Sequence, residues 1–436
     1  MVAVTSIKPL HLCKIHKLHR SKHARMRVSF NFSGSLSKLV LGDMTANQFS
    51  DITRRLDSDS SDAWRVHEQA MFMKQRGEDV VILSIGDPDF RTPDPIVDNA
   101  VSHLRVGRTH YSPALGEMNL RRAVADYESR TSPHPCSENE VSIYPGVTAA
   151  IYSVMSCLLN KGDEIVVVDP LYVGYEPILQ ALDVTVKSVR AFPEAGFEPQ
   201  LDDLIAAISA DTQVVFINTP GNPTGAIINA QTLKDLASYC NEKGIWLVCD
   251  EVYSMFTYEK PHISLRTAAE KLDNVVVIDG LSKSHAMSGW RVGWVVAPVE
   301  LTRHLGNFTA MSFFGSPQFI QDAAAFALNN DEYYVKEMRD KYRKRRDLVC
   351  DRLSAMPHLT YLRPESGMFI MVDVSDLFDD DKEFAQRLLD AGAVSVLPGS
   401  AFGQGTTGHV RLSLVQPQEI LMKGCDRIEK FVKSFK

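Results

Sequence analysis

The 436-residue chain has no uninterrupted apolar run long enough to span a bilayer, so an ordinary membrane-spanning helix is not expected. Cysteine is sparse: Cys13, Cys136, Cys157, Cys240, Cys249, Cys350 and Cys425 are odd in number and show no C-x-x-C spacing. That scatter argues against a disulfide framework or zinc site, and for reduced thiols in a cytoplasmic setting, mostly as small core hydrophobes. Positive charge is not in excess. A net charge of −7 gives no sign of the basic face that nucleic acid requires. Neither G-x-G-x-x-G after the first apolar run nor G-x-x-x-x-G-K-[ST] occurs, which removes the usual nicotinamide and nucleotide signatures. Acids are missing from the first 42 residues, a stretch that carries Lys8, Lys14, Lys17, Arg20, Lys22, Arg25, Arg27 and Lys38. Three readings stand for residues 1–43: a transit peptide, a disordered basic tail, or a start codon upstream of a working protein that begins near Met44.

What is present has the composition of a globular protein, 44% hydrophobic and 23% charged, and the length favours two domains. Val80–Ile85, Asp163–Asp169, Gln213–Asn218, Ile245–Asp250, Asn274–Asp279 and Val292–Ala297 are short runs rich in β-branched residues. Such runs predict strands covered on both faces, hence a mainly parallel sheet. Helical patterns at Ala150–Leu159 and Ala230–Lys243 lie between them, so the fold class is α/β with a central sheet flanked by helices. After about residue 330 a charged helix over Tyr334–Met356 leads into strand-like Met368–Val374, Val394–Leu397 and His409–Leu414 and a closing helix at Gln418–Phe435, which predicts a smaller α+β domain. The boundaries expected are 44–94 for a segment joining the small domain, 95–330 for the large domain and 331–436 for the small one.

Four constellations fall at predicted strand ends, where ligands of such sheets bind. The first runs Ser282-Lys283-Ser284-His285-Ala286-Met287-Ser288-Gly289-Trp290-Arg291-Val292-Gly293. A lysine buried at a strand end loses its proton more easily than a surface lysine, which suits an imine-forming amine, and Arg291 can present a planar fork to a phosphate. For an isolated Ser-Lys pair a surface lysine and a structural arginine would be the better explanation, and it is the whole twelve-residue pattern that displaces it. The second, Asn218-Thr219-Pro220-Gly221-Asn222-Pro223-Thr224-Gly225, is a turn whose Asn–Pro bond, cis or trans, can aim the Asn222 amide at a ligand. In the third, Asp250-Glu251-Val252-Tyr253, a carboxylate closes an apolar strand and needs a partner, either a helix start that it caps or a cationic ligand. The fourth, Tyr144-Pro145-Gly146-Val147-Thr148, is a loop opening into a helix, where free N–H groups favour an anion.

Together these motifs resemble those of the class I/II aminotransferases, pyridoxal-phosphate (PLP) enzymes of fold type I, from about Met44 to the C-terminus. The resemblance implies that Lys283 holds pyridoxal 5′-phosphate as a Schiff base and shuttles the substrate Cα proton, and that Asp250 pairs with the pyridine nitrogen. It implies that Asn222 and Tyr253 bond the cofactor's phenolic oxygen, that Val147, Thr148, Ser282 and Arg291 surround its phosphate, and that Tyr172 stacks on its ring. Arg411 matches the arginine that clamps the substrate α-carboxylate, with Asn222 beside it, and Gly86 offers backbone to the substrate. Tyr111 matches a tyrosine that reaches the partner subunit's phosphate, so a homodimer with shared active sites is implied. For Tyr172 and Tyr111 plain packing explains the residue as well as function does. Many relatives place a serine three residues before the lysine. This chain has Gly280.

Dicarboxylate-specific members carry an extra arginine just before a turn like Gly315-Ser316-Pro317, and Asn307–Phe314 holds no basic residue. A pure aspartate enzyme is therefore disfavoured. Gly280–Val296, Ser84–Phe90, Gly315–Ala325 and Gly367–Val374 are similar to the bacterial arginine–pyruvate transaminase subgroup, which implies a basic or neutral amino donor with pyruvate or 2-oxoglutarate as acceptor. Asp62, Asp89 and Glu117 lie in segments that approach the site in relatives, though solvated or turn-forming roles account for them too. A C–S β-lyase or a racemase could use the same lysine and aspartate, and a non-catalytic PLP-fold regulator is a further alternative.

Overall fold

The computed structural model describes residues 49–56, 60–330 and 332–435. The basic extension 1–43 and the side chain of Asp62 lie outside the described residues. In chain order the strands are β1 (Val81–Ile82), β2 (Val141–Tyr144), β3 (Glu164–Asp169), β4 (Thr185–Arg190), β5 (Thr212–Asn218), β6 (Trp246–Asp250) and β7 (Val275–Gly280). They continue as β8 (Gly293–Val296), β9 (Thr360–Tyr361), β10 (Phe369–Asp373), β11 (Val394–Ser395), β12 (Leu397–Pro398) and β13 (His409–Ser413).

Seven strands form the large sheet in the order β2-β8-β7-β6-β5-β3-β4. Only β8 within it runs antiparallel to its neighbours. The alternation of side chains along a strand divides the core between the two faces. On β5, Val214 and Phe216 pack with Ile151 and Val154 of the helix Val147–Leu158, while Val215 and Ile217 pack with Leu233 and Leu236 of the helix Ala230–Lys243. That double cover is why these strands read as unbroken apolar runs. The helix Ala230–Lys243 has the predicted ends: Asn229 accepts from the Thr232 N–H, and Gly244 at φ +71° stops it. A second sheet, β12-β13-β10-β9, is antiparallel and carries its own apolar cluster with the helices Asp381–Gly392 and Gln418–Val432. Among the described residues no helix is long and apolar enough to cross a membrane.

Several expectations need correction. The run Val80–Ile85 is a strand only at Val81–Ile82, and it pairs in parallel with β11 outside the large sheet. The run Val292–Ala297 is the antiparallel β8. Two strands of the large sheet were not expected. Thr185–Arg190 is the sheet edge and is exposed along most of its length, so its mixed sequence lacks an apolar run. Val141–Tyr144 is four residues long and pairs only with β8. The helix expected at Ala150–Leu159 starts at Val147, directly after Gly146 at φ +94°, which puts Val147 and Thr148 on its first turn.

Candidate active site

Parallel strands deliver polar residues to one edge of the large sheet. Asn218 and Asp250 are register partners at the carboxyl ends of β5 and β6, and β7 ends at Gly280, three residues before Lys283. A cavity of about 470 Å³ opens there, with Phe369 of β10 and Arg411 of β13 contributed by the small sheet. Of the residues singled out in the sequence, Gly86, Val147, Thr148, Tyr172, Asn222, Asp250, Tyr253, Ser282, Lys283, Arg291 and Arg411 all line it. Tyr111 does not. It is 82% exposed and meets Phe314 edge to face, with centroids 4.9 Å apart.

Lys283 Nζ donates a 2.7 Å hydrogen bond to the Gly86 carbonyl. Burial pushes its amine down to about 8, with Asp87 pulling upward and Arg411 and Arg291 adding to the fall. Asp250 accepts from the Tyr175 hydroxyl at 2.7 Å and from the Val252 N–H at 3.0 Å. Burial still pushes its carboxyl up to about 6, because two neutral donors do not replace water around a charge. Burial also raises the Tyr253 hydroxyl, against the pull of Arg411, and so keeps the phenol a proton donor. Arg411 is 1% exposed and donates to Asn222 Oδ1 at 2.8 Å and to the Ser84 carbonyl at 3.1 Å, while its Nε has no partner among the described residues. Phe369 lies 4.0 Å beneath the guanidinium. The Asn222–Pro223 and Thr219–Pro220 bonds are both cis, and the Asn222 N–H bonds Asn218 Oδ1 at 2.9 Å.

Glycines set the approach of backbone and arginine around Arg291. A Cβ on Gly146 would collide with the Arg291 guanidinium, and one on Gly293 would lie 2.7 Å from the Val147 nitrogen. Gly146 provides no side-chain cap to the first N–H groups of the helix Val147–Leu158. Helix start and guanidinium together suit a phosphate. The departure at Gly280 has a steric cause. A Cβ there would stand 2.7 Å from the Val292 carbonyl oxygen and 2.9 Å from Val147 Cγ2, so no serine fits without displacing backbone.

Two of the candidate acids serve elsewhere. Asp89 takes a two-pronged bond from Arg345, at 2.7 and 2.8 Å, and Glu117 bonds Arg108 and Gln318. Neither lines the cavity, whose carboxylates are Asp87 and Asp250. Among the wall residues not singled out in the sequence are Asp87, Tyr175, Trp64 and Phe369. Tyr175 sits three residues after Tyr172 in the same loop and was the legible one; Trp64 and Phe369 come from distant segments with no local signal.

A buried carboxylate short of a cation, a neutralisable amine, a buried arginine and an anion cup around one cavity suit a phosphorylated heterocyclic cation and an amino acid. Residues 78–428 match the family model for aminotransferase class I and II, and the chain belongs to that family, whose members use pyridoxal phosphate. It is a transaminase. The chain is 42% identical to an arginine–pyruvate transaminase of Pseudomonas aeruginosa over 87% of its own length and 97% of the relative's. It is 33% identical to an aspartate/prephenate aminotransferase of Thermus thermophilus over 84% of this chain and 94% of that one. The solved structure of Thermus thermophilus aspartate aminotransferase with maleate superposes with a TM-score of 0.83 at 31% identity, covering 88% of this chain and 99% of that one. These relatives are named as aminotransferases or transaminases, and nothing in them supports the C–S lyase alternative.

Proposed function

We propose that the chain transfers the α-amino group of L-arginine, or of another basic or neutral amino acid, to pyruvate or 2-oxoglutarate, using pyridoxal 5′-phosphate held by Lys283. The observation that carries this reading is the opening of the Lys283 amine, the Asp250 carboxylate and the Arg411 guanidinium into one cavity. When bound, the cofactor supplies an aldehyde that condenses with amines and a protonated ring that draws electrons from the substrate Cα.

The chain's own groups do the rest. Asp250, poorly satisfied without a cation, holds the ring nitrogen protonated. Val147, Thr148, Ser282 and Arg291 take the phosphate, Asn222 and Tyr253 the phenolic oxygen, and Tyr172 packs on the ring. Arg411 binds the α-carboxylate that donor and acceptor share, with the Gly86 backbone beside it. Lys283 Nζ, its charge weakened by burial, would take the proton from the donor Cα and deliver it to the cofactor carbon that carried the aldehyde, and would run the reverse transfer with the acceptor.

The basic donor is favoured by the name of the Pseudomonas relative and by Asp87 on the wall, which forms no ion pair among the described residues and accepts from Ser288 Oγ. A donor panel with the purified enzyme tests it: L-arginine should turn over well ahead of L-aspartate, and the reverse order removes the donor assignment. The exposed apolar group of Tyr111, Met311 and Phe314 supports a homodimer in which Tyr111 reaches the partner subunit's phosphate. Sedimentation should give the mass of two chains, and a monomer would contradict that part.

A further inference from the structure

The carboxylate clamp is tethered from outside the cavity. Arg411 donates to the carbonyl of Ser84, and Ser84 is itself wholly buried. The Ser84 hydroxyl lies 2.9 Å from Ser395 Oγ of β11 and 2.8 Å from His67 Nδ1. His67 belongs to the helix Ser60–Gln75, one turn after Trp64, and the two rings meet edge to face with centroids 5.8 Å apart. Trp64 lines the cavity. One helical turn therefore places an aromatic ring on the cavity wall and an imidazole on the residue that orients the buried arginine. Burial lowers the pKa of His67 and the charge of Arg411 acts in the same direction, against Glu68, so the imidazole is neutral at neutral pH and serves as a hydrogen-bond partner.

We propose that His67 is a positioning residue for substrate carboxylates: by holding Ser84 it fixes the carbonyl that aims Arg411. The inference rests on the assignment of Arg411 to the α-carboxylate. Because donor and acceptor share that carboxylate, its loss should weaken all of them alike, whereas a residue contacting a side chain would discriminate among them.

The test uses cofactor-loaded enzyme and 5-guanidinopentanoate, an arginine lacking the α-amino group and so unable to condense with an aldehyde, titrated by calorimetry. His67→Ala should raise the Kd of the probe, and the KM of both arginine and pyruvate, by about tenfold, the worth of one tethering hydrogen bond, with kcat within about twofold. His67→Asn, whose amide occupies the place of Nδ1, should restore most of the affinity. His67→Gln, whose amide reaches the place of Nε2, should not. A His67→Ala enzyme that binds the probe within about twofold of wild type overturns the proposal. So does rescue by Gln equal to that by Asn, or unequal loss between donor and acceptor. Wild-type enzyme that binds no carboxylate overturns it together with the Arg411 assignment. Wild type that binds the probe but moves no amino group defeats the transaminase reading alone, and the probe Kd still decides the role of His67.

Discussion

Tyr175 donates a 2.7 Å hydrogen bond to Asp250 in the cavity wall, and the phenol is itself buried. The bond draws the carboxyl down while burial drives it up, and the carboxylate's own charge helps keep the phenol protonated. Tyr175→Phe removes the donor without emptying the space, so Asp250 should hold its proton to higher pH and grip a pyridinium less well. We expect cofactor Kd to rise about tenfold, read by equilibrium dialysis. An unchanged Kd would show that Tyr175 is packing only.

Asp250 also predicts a pH dependence in the cofactor-free protein. Its folded pKa of about 6 lies above the ordinary carboxylate value, so the folded state binds more protons across that interval. Stability from this group is present at low pH and is lost as pH rises through about 6. Asp250→Asn should therefore be more stable than wild type at pH 7.5, by up to about 2 kcal/mol, with the difference fading toward pH 4. Paired denaturant titrations at the two pH values measure it. An Asn variant less stable at pH 7.5 would contradict the account, and cofactor affinity should fall sharply in the same variant.

How much of this was legible before the structure depends on the kind of residue. Lys283 and Asp250 could be read because polar groups at the ends of apolar strands need a reason, and sheet topology says where such ends meet; Asn222 was marked by its Asn–Pro turn, and Arg411, midway along β13, was legible only through the family resemblance. Tyr175 follows Tyr172 by three residues, and nothing local marks which of the two tyrosines reaches Asp250. Trp64 and Phe369 reach the cavity, and His67 reaches Ser84 behind it, from segments far away in sequence, through contacts that no local pattern encodes. The edge strand Thr185–Arg190 escaped for a related reason: exposed on most of its length, it lacks the apolar run that marks a buried strand. Asp89 and Glu117 lie near the site along the chain, but chain proximity does not say which arginine holds each of them.

Gly280 offers a steric test. Restoring the serine common in relatives, Gly280→Ser, should not strengthen phosphate binding here, because its Cβ meets the Val292 carbonyl and Val147. Overpacking of this kind destabilises by about 1–3 kcal/mol. Chemical denaturation should report that loss with weaker cofactor binding alongside. A serine variant of full stability and tighter cofactor binding would mean that the backbone there yields easily.

The central assignment is Lys283, whose amine stands in the cavity, hydrogen-bonded to Gly86 and softened by burial to about 8. The direct measurement is the near-visible absorption spectrum of the purified protein after exhaustive dialysis, wild type against Lys283→Ala. Wild type should keep the band of lysine-linked cofactor, and the variant should lose it together with transamination. The same band surviving dialysis in the alanine variant would contradict the account.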